Sequence, residues 1–271
     1  MAPVRQERTL VNVAGLARRT LMVLGLPVIL LAAWWIASAG STSPFWPPLS
    51  KIVATFPDVW TWDRIVEDVF PSLARLGIGF AIAVVVGVSL GTAIGLMPRL
   101  RALSEPVLEF FRAIPPPVMV PIIAIFAGYT GWLGKIITIA LGCLWPILLN
   151  TVEGVRGLEP VLGDTAKSYH LSPWRRFVFV VLPGASPRIF AGARQALSIG
   201  VILMVISELF GANAGIGAAI VQFQRSFAIP QMWTGIIVLG LIGVLLAALF
   251  KAVENRMLAW YLGQRQIERG E

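Results

Sequence analysis

The stretch Asp164–Pro183, DTAKSYHLSPWRRFVFVVLP, is a polar and basic island in a chain otherwise built from apolar runs of membrane length. Just before it, Pro160 can occupy the first turn of a helix. The apolar positions that follow share one helical face, which predicts an amphipathic helix of about ten residues. These positions are 161, 162, 165, 166 and 169. The island is therefore predicted to form a structured loop between two membrane spans.

A second helix is predicted in the same island. Ser172 is a favoured N-cap, Pro173 fits the first helical position, and Pro183 is expected to end the helix. The joint between the two helices falls at His170, where we predict a positive φ, because His is among the few non-glycine residues enriched there. This is the only histidine of the chain, and without a Cys or carboxylate cluster beside it we predict no metal site. We interpret the hairpin as a cytoplasmic docking element, the alternative being a hairpin that lies on the membrane surface.

The composition defines the class of protein. Hydrophobic residues make up 57% of the 271 residues and charged residues only 13%, which is too apolar for a soluble core. The net charge of +8 comes from bases that punctuate the apolar segments, as topology signals do, so we predict no nucleic-acid partner. The single cysteine, Cys143, excludes an intrachain disulfide and a cysteine-rich metal site. The chain is interpreted as an integral protein of the lipid bilayer.

Six segments approach or exceed the roughly 20 apolar residues that a spanning helix needs. They are about 21–39, 73–96, 105–127, 132–150, 188–210 and 232–250. We therefore predict an all-α, multi-pass membrane protein with about six transmembrane helices. An even number of spans puts both termini on one side. Sixteen basic residues fall on that side, and five fall on the other, namely Lys51, Arg64, Arg75, Lys135 and Arg225. This bias predicts cytoplasmic termini in the bacterial inner membrane.

The same pattern predicts the organisation of the chain. Residues 1–20 form a cytoplasmic tail, 21–39 a first anchor, 40–72 short amphipathic pieces at the outer interface, 73–258 the core with its cytoplasmic loop 153–187, and 259–271 a second cytoplasmic tail. The first segment resembles a cleavable signal peptide, with Arg18 and Arg19 before an apolar run. A signal core is about 7–15 residues long, whereas this run is longer and carries Trp34 and Trp35 near its outer end. We therefore expect an uncleaved anchor.

Two spans carry unusual residues. Gly87, Gly91 and Gly95 recur every four residues, which predicts a bare stripe where another helix packs closely. The third segment contains Pro115 and Pro121 among consecutive prolines, which break the helical hydrogen-bond ladder. A broken helix is tolerated in a bilayer where protein or a water-filled cavity satisfies its carbonyls. We therefore place the third segment beside a translocation path.

Two charged residues near membrane depth are further candidates for that path. Arg112 precedes the prolines, and an unpaired charge there costs on the order of 2.5–3.5 kcal/mol. It either pairs with Glu109 or Glu105 at the cytoplasmic end or helps an anion to pass. Glu208, near the outer end of the fifth segment, either forms a structural hydrogen bond to a neighbouring helix or lines the outer mouth of the path.

In the stretch Asp164–Pro183 the chain resembles the permease subunits of bacterial binding-protein-dependent ABC importers. Their cytoplasmic motif is Glu-Ala-Ala, three variable residues, Gly, nine variable residues, Ile, one variable residue and Leu-Pro. The corresponding residues here are Asp164, Thr165, Ala166, His170, Val180, Leu182 and Pro183, with every spacing retained. Asp replaces Glu, Thr replaces Ala and His replaces Gly, and the last change bears on the geometry of the turn. The prolines near Arg112 and the sequence SELFGANAGIG, residues 207–217, resemble the branch that imports sulfonates, taurine, nitrate or bicarbonate.

The resemblance implies a type I ABC importer (MetI-like) permease fold and a subunit that is not itself an enzyme. It implies a permease homodimer, cytoplasmic ATPase subunits that use ATP and magnesium, an extracytoplasmic solute-binding protein, and no cofactor bound by this chain. Residues 159–172 would act as the coupling helix. Asp164 would make a charge-assisted contact with the ATPase, while Ala166 and Leu171 would fill its groove.

The substrate implied first is a small oxyanion, because a net-positive lining would suit it, and a small heterocycle or vitamin precursor is the alternative. Two rival classes are weighed against the importer. A channel or secondary transporter would also explain broken spans, but the sequence shows no inverted repeat and no membrane-embedded acidic cluster for ion coupling. A membrane enzyme would need paired carboxylates or a Ser/His pair, for which we find no pattern.

Overall fold

The computed structural model describes residues 13–261 and 263, with side chains from Gly25 onward. In this part of the chain all regular structure is helical. The helices are α1 Val13–Ser38, α2 Leu49–Val59, α3 Trp62–Leu96, α4 Pro98–Ala113, α5 Pro116–Ala127, α6 Trp132–Arg156, α7 Pro160–Ser168, α8 Pro173–Leu209, α9 Ile216–Arg225 and α10 Ile229–Met257. Of the predicted tails, 1–20 and 259–271, residues 1–12, 262 and 264–271 lie outside the described residues.

Within the described residues four helices, α3, α6, α8 and α10, are long and apolar enough to span a membrane, and a fifth span results if the bent pair α4–α5 counts as one. The predicted first anchor corresponds to α1, whose part with described side chains, Gly25–Ser38, is a shorter apolar helix. The predicted third segment is indeed broken: α4 and α5 meet at 80° across Ile114 and Pro115. Pro115–Pro117 account for the break, because consecutive prolines remove backbone donors and collide with the preceding turn.

The predicted boundary between the outer segment 40–72 and the second span is wrong. The second span begins at Trp62 rather than at residue 73, because residues 62–72 continue into α3 through a π-helical turn, Ile65–Val69. Asp68 in this turn belongs to the segment predicted to lie at the outer interface, yet it is buried and accepts hydrogen bonds from Arg64 and from the Gly215 amide. Only α2 remains as a separate amphipathic piece between α1 and α3.

Pro183 does not end a helix. α8 runs without interruption from Pro173 to Leu209 and passes through a second π-helical turn, Phe177–Val181. In this turn the Leu182 amide donates to the carbonyl of Phe177, five residues back. The wider turn ends at Val181, two residues before the proline, and relieves the collision that the proline ring makes with the preceding turn of an α-helix.

Helix α6 lies at the centre of the bundle between α3 and α8, and glycines bring the three backbones together. On α3, a Cβ at Gly87, Gly91 or Gly95 would lie 2.7–2.9 Å from atoms of Ile147, Thr151 or Val155 on α6. These glycines therefore occupy a close helix contact, where the sequence predicts one. On α8, Gly192 and Gly200 approach α6 in the same way. The apolar core fills the remaining space, with Ile139, Ile147, Leu203 and Met204 fully buried.

Candidate coupling hairpin and translocation path

The joint between α7 and α8 adopts a Schellman motif. His170 has a φ of 50°, as the sequence predicts, its amide donates to the carbonyl of Lys167, and the Leu171 amide donates to the carbonyl of Ala166. This pair of bonds usually has glycine at the left-handed position. Ser172 then caps α8 by accepting a hydrogen bond from the Arg175 amide. The predicted turn geometry therefore forms with His in place of Gly.

The hairpin exposes both apolar and polar side chains to solvent. Val161, Leu162 and Tyr169 are exposed, the last at 77%. Thr165 is exposed as well, and the Asp164 carboxylate lies 3.1 Å from the Lys167 ammonium in a solvated pair. Such a pair is worth well under about 1 kcal/mol, so Asp164 can exchange this partner for another at low cost.

One predicted groove contact is wrong. Ala166 is only 3% exposed, because α7 turns it towards its own chain, so it cannot fill the groove of a partner. Leu171, Leu182 and Pro183 are partly buried. On α7 and its C-terminal end, the exposed apolar side chains available for docking are those of Val161, Leu162 and Tyr169.

A small apolar cluster fixes the root of the hairpin to the bundle. Val155, Val181 and Ala185 are buried together, with Leu158 and Phe177 packed against them. The cluster joins the end of α6 to the beginning of α8. The root of the hairpin is therefore packed against both helices.

A cavity of about 540 Å³ opens between α4, α6 and α8, and we call it the vestibule. Arg112 lines it and lies 3.4 Å from Glu109, with both side chains largely exposed. This contact corresponds to the first of the two alternatives for Arg112, in which it pairs with a glutamate of its own helix. Pro116 lines the vestibule, whereas the neighbouring Pro115 is exposed and Pro121 is partly buried in α5.

The charge of the vestibule differs from the expectation of a net-positive lining. Three arginines and three glutamates line it, namely Arg101, Arg112, Arg156, Glu105, Glu109 and Glu153. Two of the arginines lie close to glutamates on their own helices, at 3.3 and 3.4 Å. The lining is therefore balanced in charge, and its field alone does not select an anion.

Glu208 lies in a buried polar cluster at the other end of the bundle. Its carboxylate accepts hydrogen bonds from Arg75 at 2.9 Å, from the Ser72 hydroxyl at 2.7 Å and from the Gly217 amide at 3.0 Å. Arg75 also donates to the carbonyl of Ala214 and lies over the ring of Trp132. With 1% exposure, Glu208 has the contacts of the structural alternative, and it also borders a cavity of about 550 Å³ at this end of the bundle.

Sequence reasoning missed this partnership. Arg75 was assigned to the outer side as a topology signal, but it is 3% exposed and 133 residues away from Glu208 in the chain. Asp68 and Ser72 complete the cluster by accepting hydrogen bonds from the Gly215 and Ile216 amides. The available signal was their spacing: positions 68, 72 and 75 share one helical face. Among the described residues there is no group of three His, Cys, Asp or Glu side chains that could hold a metal ion.

Comparison with known proteins identifies the class. The family of binding-protein-dependent transport system inner membrane components matches residues 79–259, so the chain belongs to this family. It is thus a multi-pass, non-catalytic permease subunit of an ABC importer in the inner membrane, as the sequence predicts. Membership implies an ATPase and a solute-binding protein as partners.

The chain is also similar to individual permease proteins. The chain is 30% identical over 257 residues to the taurine transport system permease protein TauC of Escherichia coli (strain K12), covering 91% of this chain and 92% of that protein. It is 33% identical over 190 residues to the bicarbonate transport system permease protein CmpB of Synechococcus elongatus, covering 70% and 65%. Among solved structures, an inward-facing MetNI methionine ABC transporter matches with a TM-score of 0.61 at 19% identity, over 73% of this chain and 96% of that one. The last match establishes the MetI-like fold alone.

Proposed function

We propose that this chain forms a homodimer that provides the translocation path of an ATP-driven importer. The observation that carries the proposal is the exposed hairpin formed by α7 and the beginning of α8. It has a turn at His170, a root packed into the bundle and solvent-exposed apolar side chains, among them those of Val161, Leu162 and Tyr169. The hairpin docks on a cytoplasmic ATPase, which binds and hydrolyses ATP with magnesium.

The proposed coupling follows from the continuity of the helices. Closure of the two ATPase subunits moves the two hairpins of the dimer, and α8 transmits that motion across the bundle. ATP makes different contacts with the ATPase subunits in their open and closed states. Such a difference is required for a ligand to drive a conformational change. Asp164 contributes a charge-assisted contact to the ATPase, with Val161, Leu162 and Tyr169 filling its groove.

For the substrate we propose a small oxyanion delivered by a solute-binding protein. The support comes from the relatives, whose names include taurine, aliphatic sulfonates, bicarbonate and nitrate. All of these are small and carry anionic oxygens. The balanced charge of the vestibule favours assigning the choice among them to the solute-binding protein.

The docking proposal is tested by copurification from native membranes in mild detergent, with mass spectrometry of the associated proteins. The Asp164→Arg variant reverses an exposed charge on the hairpin, and Asp63→Arg makes the same change at an exposed site on the predicted outer side. We expect an ATPase with the wild type and with Asp63→Arg, and its loss with Asp164→Arg. Equal recovery of the ATPase with all three chains would exclude Asp164 from the docking surface.

A further inference from the structure

A second, smaller cavity adjoins the vestibule. It has a volume of about 60 Å³, and we call it the chamber. The two cavities share five lining residues, Phe111, Ile114, Pro116, Gly142 and Trp145. They are therefore neighbouring compartments that meet at the end of α4 and the middle of α6.

The position of each compartment along α6 gives their order. The vestibule is lined by α6 residues from Gly142 to Arg156, the end that leads into the hairpin. The chamber is lined by Thr138 and Leu141, one turn nearer to the start of the helix at Trp132. A solute moving away from the hairpin would thus pass from the vestibule into the chamber.

A stacked aromatic pair lies at the boundary. The rings of Phe111 and Trp145 have centroids 5.1 Å apart and planes inclined by only 8°. They border both compartments and belong to two different helices, α4 and α6. The pair is therefore placed to separate the wide compartment from the narrow one.

The chemistry of the lining changes across this pair. The vestibule is lined by six charged side chains. The chamber has no charged lining residue, and its polar side chain, Thr138, donates its hydroxyl proton to the carbonyl of Gly134 at 2.8 Å. Narrow hydrophobic constrictions of this kind exclude ions and water by dewetting.

Both rings are attached close to prolines, one at a break between helices and one inside a continuous helix. Phe111 lies two residues before the end of α4, where the chain turns by 80° into α5, and Trp145 directly precedes Pro146 inside α6. The backbone at such sites has already lost hydrogen bonds, so a change in the bend breaks few further ones. A tilt of α4 against α6 would separate the rings without unfolding either helix.

We infer that Phe111 and Trp145 form a gate of the translocation path and that the stacked pair is its closed state. The inference rests on the proposed transport function, which it extends by naming the residues that close the path. The competing explanation is that the pair merely packs α4 against α6. The two explanations differ in whether the rings protect the chamber from solutes in the vestibule.

Cysteine accessibility tests this difference without substrate or ATPase. Because Cys143 is the only cysteine of the chain, a Cys143→Ala background leaves one reporter thiol at a time. Thr138→Cys reports on the chamber and Gln195→Cys on the vestibule. Full-length protein in inside-out membrane vesicles is treated with a membrane-impermeant maleimide, and the labelling rate is measured.

Loss of either ring, by Phe111→Ala or Trp145→Ala, should accelerate labelling of the chamber reporter several-fold and leave the vestibule reporter unchanged. Trp145→Phe retains a stacked ring and should keep the chamber protected. Phe111→Leu preserves apolar volume without a ring and should open it, which provides a milder variant if the alanine forms do not accumulate. Phe250→Ala is the matched control, because it removes a ring that packs on Phe80 away from both compartments.

Equal labelling of the chamber reporter with and without the ring substitutions would overturn the gate. Acceleration by Phe250→Ala to the same degree would overturn it as well, since general loosening would then explain the result. The docking experiment on Asp164 is unaffected by either outcome, so failure of the gate and failure of the proposed function are distinguishable.

Discussion

Among the ion pairs of the described residues, Arg75–Glu208 is the one whose two side chains are both buried. Both side chains are at most 3% exposed and lie 2.9 Å apart. Removing two charges from water costs several kcal/mol per ion, and a pair compensates for this only when further hydrogen bonds satisfy it. Ser72, Ala214 and Gly217 supply such bonds, while the buried Nε–H of Arg75 has no hydrogen-bond partner. The cluster therefore fixes the loop 210–215 and the start of α9 against α3.

Arg75→Met leaves the carboxylate of Glu208 buried without its cation, and we expect a loss of about 3–5 kcal/mol in the free energy of unfolding. The measurement is denaturant unfolding in mixed micelles, followed by tryptophan fluorescence. Replacing both partners, as Arg75→Met with Glu208→Leu, should recover much of the loss. The matched control is Arg112→Met, which removes an exposed pair and should change stability by at most about 1 kcal/mol. Equal effects of the two arginine substitutions would show that the buried pair has no special role.

His170 provides a second test at the residue scale. A side chain in the left-handed region costs roughly 1–2 kcal/mol relative to glycine, and His170 has a φ of 50°. We expect His170→Gly to leave the hairpin intact or slightly more stable, and His170→Val to weaken it. Hydrogen exchange at the amides of residues 170 and 171, which donate the two Schellman bonds, measures the effect. Faster exchange in the Gly variant than in the Val variant would contradict the expectation.

The contact between α3 and α6 determines how closely the central helices approach. Gly87, Gly91 and Gly95 lie every four residues along α3, and each faces a β-branched side chain of α6. Since lipid is as apolar as the helix surfaces, such close packing supplies much of the association between spans. The row keeps α6 in the centre of the bundle.

Gly91→Ala would place a methyl group 2.7 Å from Cβ of Thr151 and 2.8 Å from the carbonyl oxygen of Leu148. We expect a loss of about 1–3 kcal/mol in the free energy of unfolding from overpacking. Gly77→Ala is the control on the same helix, because nothing lies within 4 Å of its added methyl group. The control should be neutral or more stable by up to about 1 kcal/mol, since alanine is the better helix former. A neutral Gly91→Ala would mean that the helices are not in close contact there.

Features governed by local spacing were predictable from the sequence at the scale of elements. The glycine row, the Ser172 cap and the turn at His170 each depend on residues within one or two turns of helix. The continuation of α8 through Pro183 was not predictable, because it depends on a π-helical turn that the proline rule does not anticipate. Asp68 was misplaced for a different reason: its buried partner, the Gly215 amide, is 147 residues away. Long-range pairs of this kind leave no local pattern.

The whole molecule joins two distant sites through one helix. α8 has 37 residues, which corresponds to roughly 55 Å at the rise of an α-helix. It begins in the hairpin at Ser172 and Pro173 and ends at the polar cluster around Glu208. A displacement of the hairpin therefore reaches the opposite end of the bundle through a continuous backbone.

The chain also contains more than the shared permease core. The MetNI subunit is matched over 96% of its own length by only 73% of this chain, and the family match begins at residue 79. Before it, α1 and α2 attach to the bundle through tryptophans. The rings of Trp34, Trp46 and Trp233 have centroids within 5.5–5.9 Å of one another, and Trp60 donates a hydrogen bond to Thr234. Amphipathic rings of this type suit a membrane interface.

The central claim is that the hairpin couples ATP hydrolysis to movement of a solute through this subunit. It is tested most directly by uptake of labelled taurine, nitrate and bicarbonate into proteoliposomes that contain the chain, its copurifying ATPase and the solute-binding protein. The account predicts uptake of at least one of these anions that requires ATP and is abolished by Asp164→Arg but retained by Asp63→Arg. Uptake that continues without ATP, or without the ATPase, would contradict the account and identify a channel or secondary transporter instead.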